Sequence, residues 1–384
     1  MFIVDFTKKI NDIVETNQLN NSLLPKTEII KDKYEEYKDM KEYLIMALNH
    51  TLYNPNEIFY KSKNPKISIV ISIYNDEIYI KTGLISIQNQ DLKDVEIVMV
   101  DDGSKDNSTK LIEQLMIRDP RIVLYKNEDN KGALYTKTKG ILNAKGKYVM
   151  IFDINNMYTQ KDAFRTLYEE SEKNNLDILG FASKEGGLNL EKGNLYYYLE
   201  TPVLFQPNVT KRMYDFDNNG RPIRMEVLIG NYFFRTELFI KIIKQINKGY
   251  LNKKIIAFDD TLLFFLLTRA AYNLRQIKRI FNIKFKWDKY YNKKEILRLN
   301  RKYIEQDNLK CLAYMSYIEF ILKETKNEIK EKRIPSMELK NLFLNNKCRN
   351  NPNIRKYGEN VCKFFLENNY IEDNIKKEIK NFLH

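Results

Sequence analysis

The sequence predicts an α/β fold with a largely parallel sheet, and three observations predict it. Short apolar runs alternate with helical patterns through the middle of the chain, the mark of βαβ units. The runs are continuous, as in Ile67–Ser72, which fits strands buried on both faces. Several of them end in polar clusters, at Tyr74-Asn75, Asp101-Asp102-Gly103-Ser104 and Asp153-Ile154-Asn155-Asn156. Open parallel sheets bind nucleotides at such strand ends.

The elements follow in order. Residues 1–64 read as a helical lead-in, with Ile29, Tyr34, Tyr37, Met40, Leu44 and Leu48 at helical spacing and Asn54-Pro55 and Asn64-Pro65 as breaks. Ile67–Ser72 is the first strand and Ile78–Ile87 its crossover helix. Val95–Val100 is the second strand. A helix over Ser108–Ile117 follows, with Asp106, Asn107 or Ser108 as its cap. Ile122–Tyr125, a helix over Gly132–Leu142, and the strand Tyr148–Phe152 come next. Thr159 to Asp162 reads as a capping segment for a helix over Ala163–Lys173, before a strand at Ile178–Phe181. Residues 182–235 read as loops and short antiparallel strands. Helices at Thr236–Asn247 and Asp260–Tyr272 come before a strand near Ile277–Phe285, and residues from about 294 onward are helical. This gives three parts: a helical segment 1–64, an α/β domain 65–290 with halves at 65–181 and 182–290, and a helical extension 291–384.

Composition narrows the function classes. The chain has 384 residues with 43% apolar content, enough for a sizeable core, and 30% charged content. Its net charge of +13 is spread along the chain without a dense Lys/Arg block or zinc-finger spacing, so nucleic acid is not the expected partner. Three dispersed cysteines, Cys311, Cys348 and Cys362, fit reduced thiols and a cytoplasmic setting. No apolar run is long enough for a transmembrane segment, which leaves peripheral membrane contact as the membrane option. The only histidines, His50 and His384, suggest no His-based site.

The clusters carry the chemistry. A Tyr ring at position 74 stacks on a base or packs in the core. Asp101 and Asp102 at a strand end suit acceptance of the N3–H of uracil, and Asp-Asp-Gly-Ser is also a common turn. Lys137 lies in the segment Asn130-Lys131-Gly132 to Gly140 as a charge for phosphate or as a surface lysine. Asp259-Asp260 opens a helix, as a general base or as an ordinary N-cap.

In order and spacing these residues resemble the inverting family 2 glycosyltransferases of the GT-A fold. The resemblance covers about residues 65–285. It implies a nucleotide-sugar donor, of UDP type, and transfer to a hydroxyl acceptor on a glycan, protein or lipid. On the resemblance, Ser72, Tyr74, Asp101 and Asp102 meet the base, Lys137 the diphosphate, and Asp153 and Asn155 the ribose side of the donor. Asp260 is the catalytic base, with Asp259 and Asn231 beside the acceptor. The family pattern Asp-x-Asp-Asp, which holds Mn²⁺ or Mg²⁺, stands here as Asp153-Ile154-Asn155-Asn156. Asp153 and Asn156 are its remaining candidate ligands, and an amide brings no charge to a hard cation, so weak or absent metal binding is expected. Gly230-Asn231 stands where the family commonly has Gly-Lys. These departures favour, as the alternative, a catalytically degenerate relative that binds nucleotide or acts as a scaffold.

Overall fold

The computed structural model describes residues 58–158, 160–189, 194–200, 214–216, 222–224, 229–246, 248–251, 255 and 258–287, with 316–318, 320, 321, 338 and 377 beyond them. The expected helical segment 1–64 and extension 291–384 lie almost wholly outside these residues.

β1 (Ile67–Ile73) is the hub of the sheet. It pairs in parallel with β2 (Val95–Asp101) on one side and with β4 (Tyr148–Ile151) on the other. β3 (Ile122–Lys126) adds to β2 in parallel. Every residue of β2 is buried, as is nearly all of β1. The continuous apolar runs therefore do what the sequence implies, because helices cover both faces. Ile67, Ile69, Ile71 and Ile73 face α1 (Glu77–Gln88), α2 (Ser108–Met116) and α4 (Ala163–Lys173) through Ile80, Leu84, Ile112, Phe164 and Leu167. Val70, Val98 and Val100 face α3 (Ala133–Leu142), α5 (Thr236–Gln245) and α7 (Asp259–Ala270) through Leu134, Ile141, Phe239, Ile243 and Leu263. Each fully buried aliphatic side chain contributes about 1.5–3 kcal/mol. Tyr317, Ile318, Phe320 and Ile321 join the second of these layers.

Beyond β4 the sheet is mixed. β10 (Tyr232–Arg235) lies antiparallel between β4 and β6 (Ile178–Asn189). β11 (Leu274–Trp287) then runs parallel to β6, and β5 (Asn156–Tyr158) closes that end against β11. β7 (Asn194–Glu200) extends β6, and β8 (Tyr214–Phe216) pairs with β9 (Pro222–Arg224). The short helix α6 (Lys248–Leu251) precedes α7.

The structure alters some expectations. β6 and β11 run longer than predicted, since each supplies the other's hydrogen bonds past the apolar core. β10 and β5 had no clear signal of their own, being very short. Two caps also differ. Asn107 makes no side-chain cap bond. Asp106 Oδ1 instead accepts from the Ser108 amide at 3.0 Å, and Ser108 Oγ accepts from the Asp76 amide at 3.0 Å. Asp162 makes no cap bond to α4, because its carboxylate takes Arg279 Nη2 at 2.6 Å.

Candidate active site

The carboxyl ends of β1, β2 and β4 meet the first turns of α3 and α7. Tyr74, just past β1, keeps 47% of its surface exposed, so its ring face is available to a planar ligand. Ser72 is half-buried beside it and lies opposite Val100 of β2. Asn75 adopts φ 56°, donates its amide to Ser104 Oγ at 3.0 Å and accepts from the Lys105 amide at 2.7 Å. The first two clusters are thereby one rigid rim.

Asp101 and Asp102 are both buried and turn to different tasks. Asp101 accepts from the Ser104 amide at 3.1 Å and from Thr109 Oγ1 at 2.5 Å, which fixes the turn into α2. Asp102 accepts from Asn127 Nδ2 and the Lys131 amide, both at 2.8 Å, and from the Gly132 amide at 2.9 Å. It thus anchors the N-terminus of α3. A carboxylate offers about four lone-pair sites, so each retains capacity for one more donor. Gly132 sits at φ +92°, and a Cβ there would lie 2.7 Å from the Ile255 carbonyl oxygen. Only glycine meets both conditions.

This anchoring sets Lys137, one turn into α3. Its ammonium donates to Asp259 Oδ2 at 2.8 Å and to Asp260 Oδ1 at 2.5 Å, both in the first turn of α7. Lys137 and Asp259 side chains are 7% and 8% exposed, whereas Asp260 keeps 28%. Phe258, just before them, adopts the left-handed φ of 61°, a conformation that costs a bulky residue energy and often marks a functional turn. Asp153 acts on the same cluster through its charge, without an ion pair to Lys137 among the described residues. Desolvation alone would lower the lysine, but Asp259, Asp260 and Asp153 outweigh it and hold the ammonium well above the usual range. Burial, then Asp259 and Asp153, push Asp260 up to about 7 against the pull of Lys137. Negative charge raises the lysine, whereas burial is the main cause of the shift at Asp260.

The fourth cluster is less charged. The Asn156 amide donates to the Asp153 carbonyl at 2.8 Å in a tight turn, and Asn155 is half-buried in that turn. Asn156 is buried, and its Oδ1 has no hydrogen-bond partner among the described residues. Asn231 lies away from the Lys137 cluster in its hydrogen bonding, donating to Ser183 Oγ at 2.8 Å. Asn282 of β11, opposite both Tyr158 and Ser183, is buried with both amide atoms unpartnered among the described residues. Sequence reading passed over Ser183 and Asn282, which look like ordinary strand residues.

The residues fit a divalent cation poorly. Among the described residues no group of three His, Cys, Asp or Glu side chains is arranged to hold a metal. The amides of Asn155 and Asn156 are neutral, and the nearby carboxylates of Asp259 and Asp260 already bind an ammonium.

An open α/β sheet with an acidic and aromatic rim at its strand ends defines a nucleotide-binding domain of the GT-A type. Residues 68–242 match the model of Glycosyl transferase family 2. The glycosyltransferase GlyG of Streptococcus pneumoniae is 32% identical over 183 residues, 47% of this chain and 56% of that protein. A GalNAc(5)-diNAcBac-PP-undecaprenol β-1,3-glucosyltransferase of Campylobacter jejuni is 31% identical over 130 residues, 33% of this chain and 42% of that one. The chain thus spans about half the length of these relatives. The fold is shared with residues 1–349 of S. aureus TarS in complex with UDP, at a TM-score of 0.55 and 16% identity over 81% of this chain and 82% of that one. No described helix is long and apolar enough to cross a membrane.

Proposed function

We propose that the domain at 65–290 transfers a sugar from a nucleotide-sugar, of the UDP type, to a hydroxyl acceptor with inversion at the anomeric carbon. The observation that carries this reading is the pair Asp259-Asp260 at the start of α7, held by Lys137 at the strand ends where this fold takes its donor. The UDP in the TarS complex supports a uridine donor. The name of the C. jejuni relative supports a glycan hydroxyl as acceptor.

In this reading the uracil stacks on Tyr74 and its N3–H goes to Asp101 or Asp102, with Ser72 at its edge. Asp153 and Asn155 lie toward the ribose. Asp260, more exposed than Asp259, takes the proton of the acceptor hydroxyl. The freed oxygen attacks the anomeric carbon from the side opposite the diphosphate. The bond from that carbon to the diphosphate oxygen breaks, and its electron pair leaves with the diphosphate. One displacement gives one inversion. A carboxylate titrating near neutrality is well matched to this task.

The test is transfer from, or hydrolysis of, a panel of UDP-sugars by the full chain, with Asp260→Asn alongside. The expected result is turnover that falls by about 10²- to 10⁴-fold in the variant. UDP affinity should stay within a few fold. Wild-type turnover unchanged by the substitution would overturn the role of Asp260. UDP binding with no turnover of any donor would favour a nucleotide-binding scaffold, the reading that Asn155 and Asn156 motivate.

A further inference from the structure

We propose that this domain binds its nucleotide diphosphate without a divalent cation, because Lys137 is the cation of the site. The inference rests on the nucleotide-sugar reading above and names what holds the leaving group.

The place where a dication would act is electrostatically taken. A dication holding a diphosphate needs charged oxygen ligands. Here the two positions after Asp153-Ile154 are Asn155 and Asn156, and neither brings charge. Of the carboxylates that remain, Asp259 and Asp260 converge on the Lys137 ammonium at 2.8 and 2.5 Å, and Asp153 acts on the same ammonium through its charge, which leaves a single half-buried carboxylate uncommitted by an ion pair among the described residues. A metal at this point would have to displace an ammonium that is 7% exposed and hydrogen-bonded to both. The α3 N-terminus that sets Lys137 is itself pinned by the Lys131 and Gly132 amides, which both donate to Asp102. The lysine is therefore a fixed part of the site.

An ammonium has three N–H donors, and the two carboxylates take two of them. The third is left for a diphosphate oxygen. Lys137 then binds the leaving group and the base from one nitrogen. It keeps its proton throughout. As the bond to the anomeric carbon breaks, the electron pair moves onto the diphosphate oxygen and the ammonium stabilises the growing charge, while the acceptor proton goes to Asp260. Fixed cations aimed at a developing charge supply this kind of stabilisation without a metal.

The experiment is titration calorimetry of the full chain, stripped with EDTA, using UDP and uridine with and without Mn²⁺. Lys137→Met and Lys137→Arg are measured beside wild type. The expected result is UDP affinity that changes by less than about twofold on adding Mn²⁺. Lys137→Met should weaken UDP by tenfold or more and leave uridine unchanged, and Lys137→Arg should retain most of the UDP affinity. A tenfold or greater gain in UDP affinity with Mn²⁺ in the wild type would overturn the inference while leaving the nucleotide reading standing. Equal binding of UDP and uridine would also overturn it, since the site would then have no hold on the diphosphate. Failure to bind either compound would overturn the nucleotide reading and this inference with it. The wild-type comparison decides the matter even if a variant does not fold.

Discussion

Asp260 and Lys137 belong to one cluster in which charge raises the ammonium and burial raises the carboxyl. Asp260 is pushed up to about 7. In its proposed role as base it would limit kcat/KM below neutrality, and the rate should then rise as pH increases through about 7. Asp259→Asn removes a neighbour that raises Asp260 and should move this limb to lower pH. Lys137→Met removes the group that opposes the shift and should move it higher. A pH profile of donor hydrolysis or transfer for the three proteins checks both directions. The stability sign is the matching one. A carboxyl raised in the folded state stabilises it in acid, and that contribution is lost as pH rises from the unfolded value, near 3.8, through about 7. Thermal melts of Asp260→Asn should lack this part of the pH dependence. The pairing that sets these properties joins residues 122 and 123 positions apart, beyond any local pattern. Asp259-Asp260 was readable as a helix start and Lys137 as a charge in a loop-to-helix segment. Their contact was not.

Helix α1 controls the loop that carries Asp153 to Asn156. At Gly83 a Cβ would lie 2.3 Å from the Ile154 carbonyl oxygen and 2.9 Å from its Cδ1, so the helix rests directly on that loop. Gly83→Ala should therefore cost about 1–3 kcal/mol by overpacking. It should also displace the turn. A lower melting temperature together with weaker UDP binding would show the coupling; a lower melting temperature with unchanged binding would confine the effect to packing. The helices α1 to α5 and strands β1 to β4 were legible because their apolar runs are continuous or helically spaced. β5 was not legible, since three residues, Asn156–Tyr158, carry no period and become a strand only by pairing with β11. The cap expected from Asp162 failed for a related reason: it has a stronger long-range partner in Arg279 than its own helix terminus offers.

The molecule is held together across its middle by β10. Phe233 faces the layer of α1, α2 and α4, stacked on Tyr148 at 4.8 Å between ring centroids. Phe234 faces the opposite layer and meets Phe239 edge-on at 5.0 Å. Since β10 joins β4 to β6, it ties the parallel β1 to β4 part of the sheet to the part built on β6 and β11. Phe233→Ala should destabilise the fold by about 3–5 kcal/mol, read by chemical denaturation. The sequence on its own settled the α/β class, the parallel β1 to β4 core and the positions of the acidic strand ends, because these follow from local periodicity and from where apolar runs stop. It did not settle the antiparallel insertion of β10, the mutual support of β6 and β11, or the union of Lys137 with Asp259 and Asp260. Those features depend on which surfaces remain unburied and which charges remain unpaired after the local elements have formed, and only packing in three dimensions resolves that.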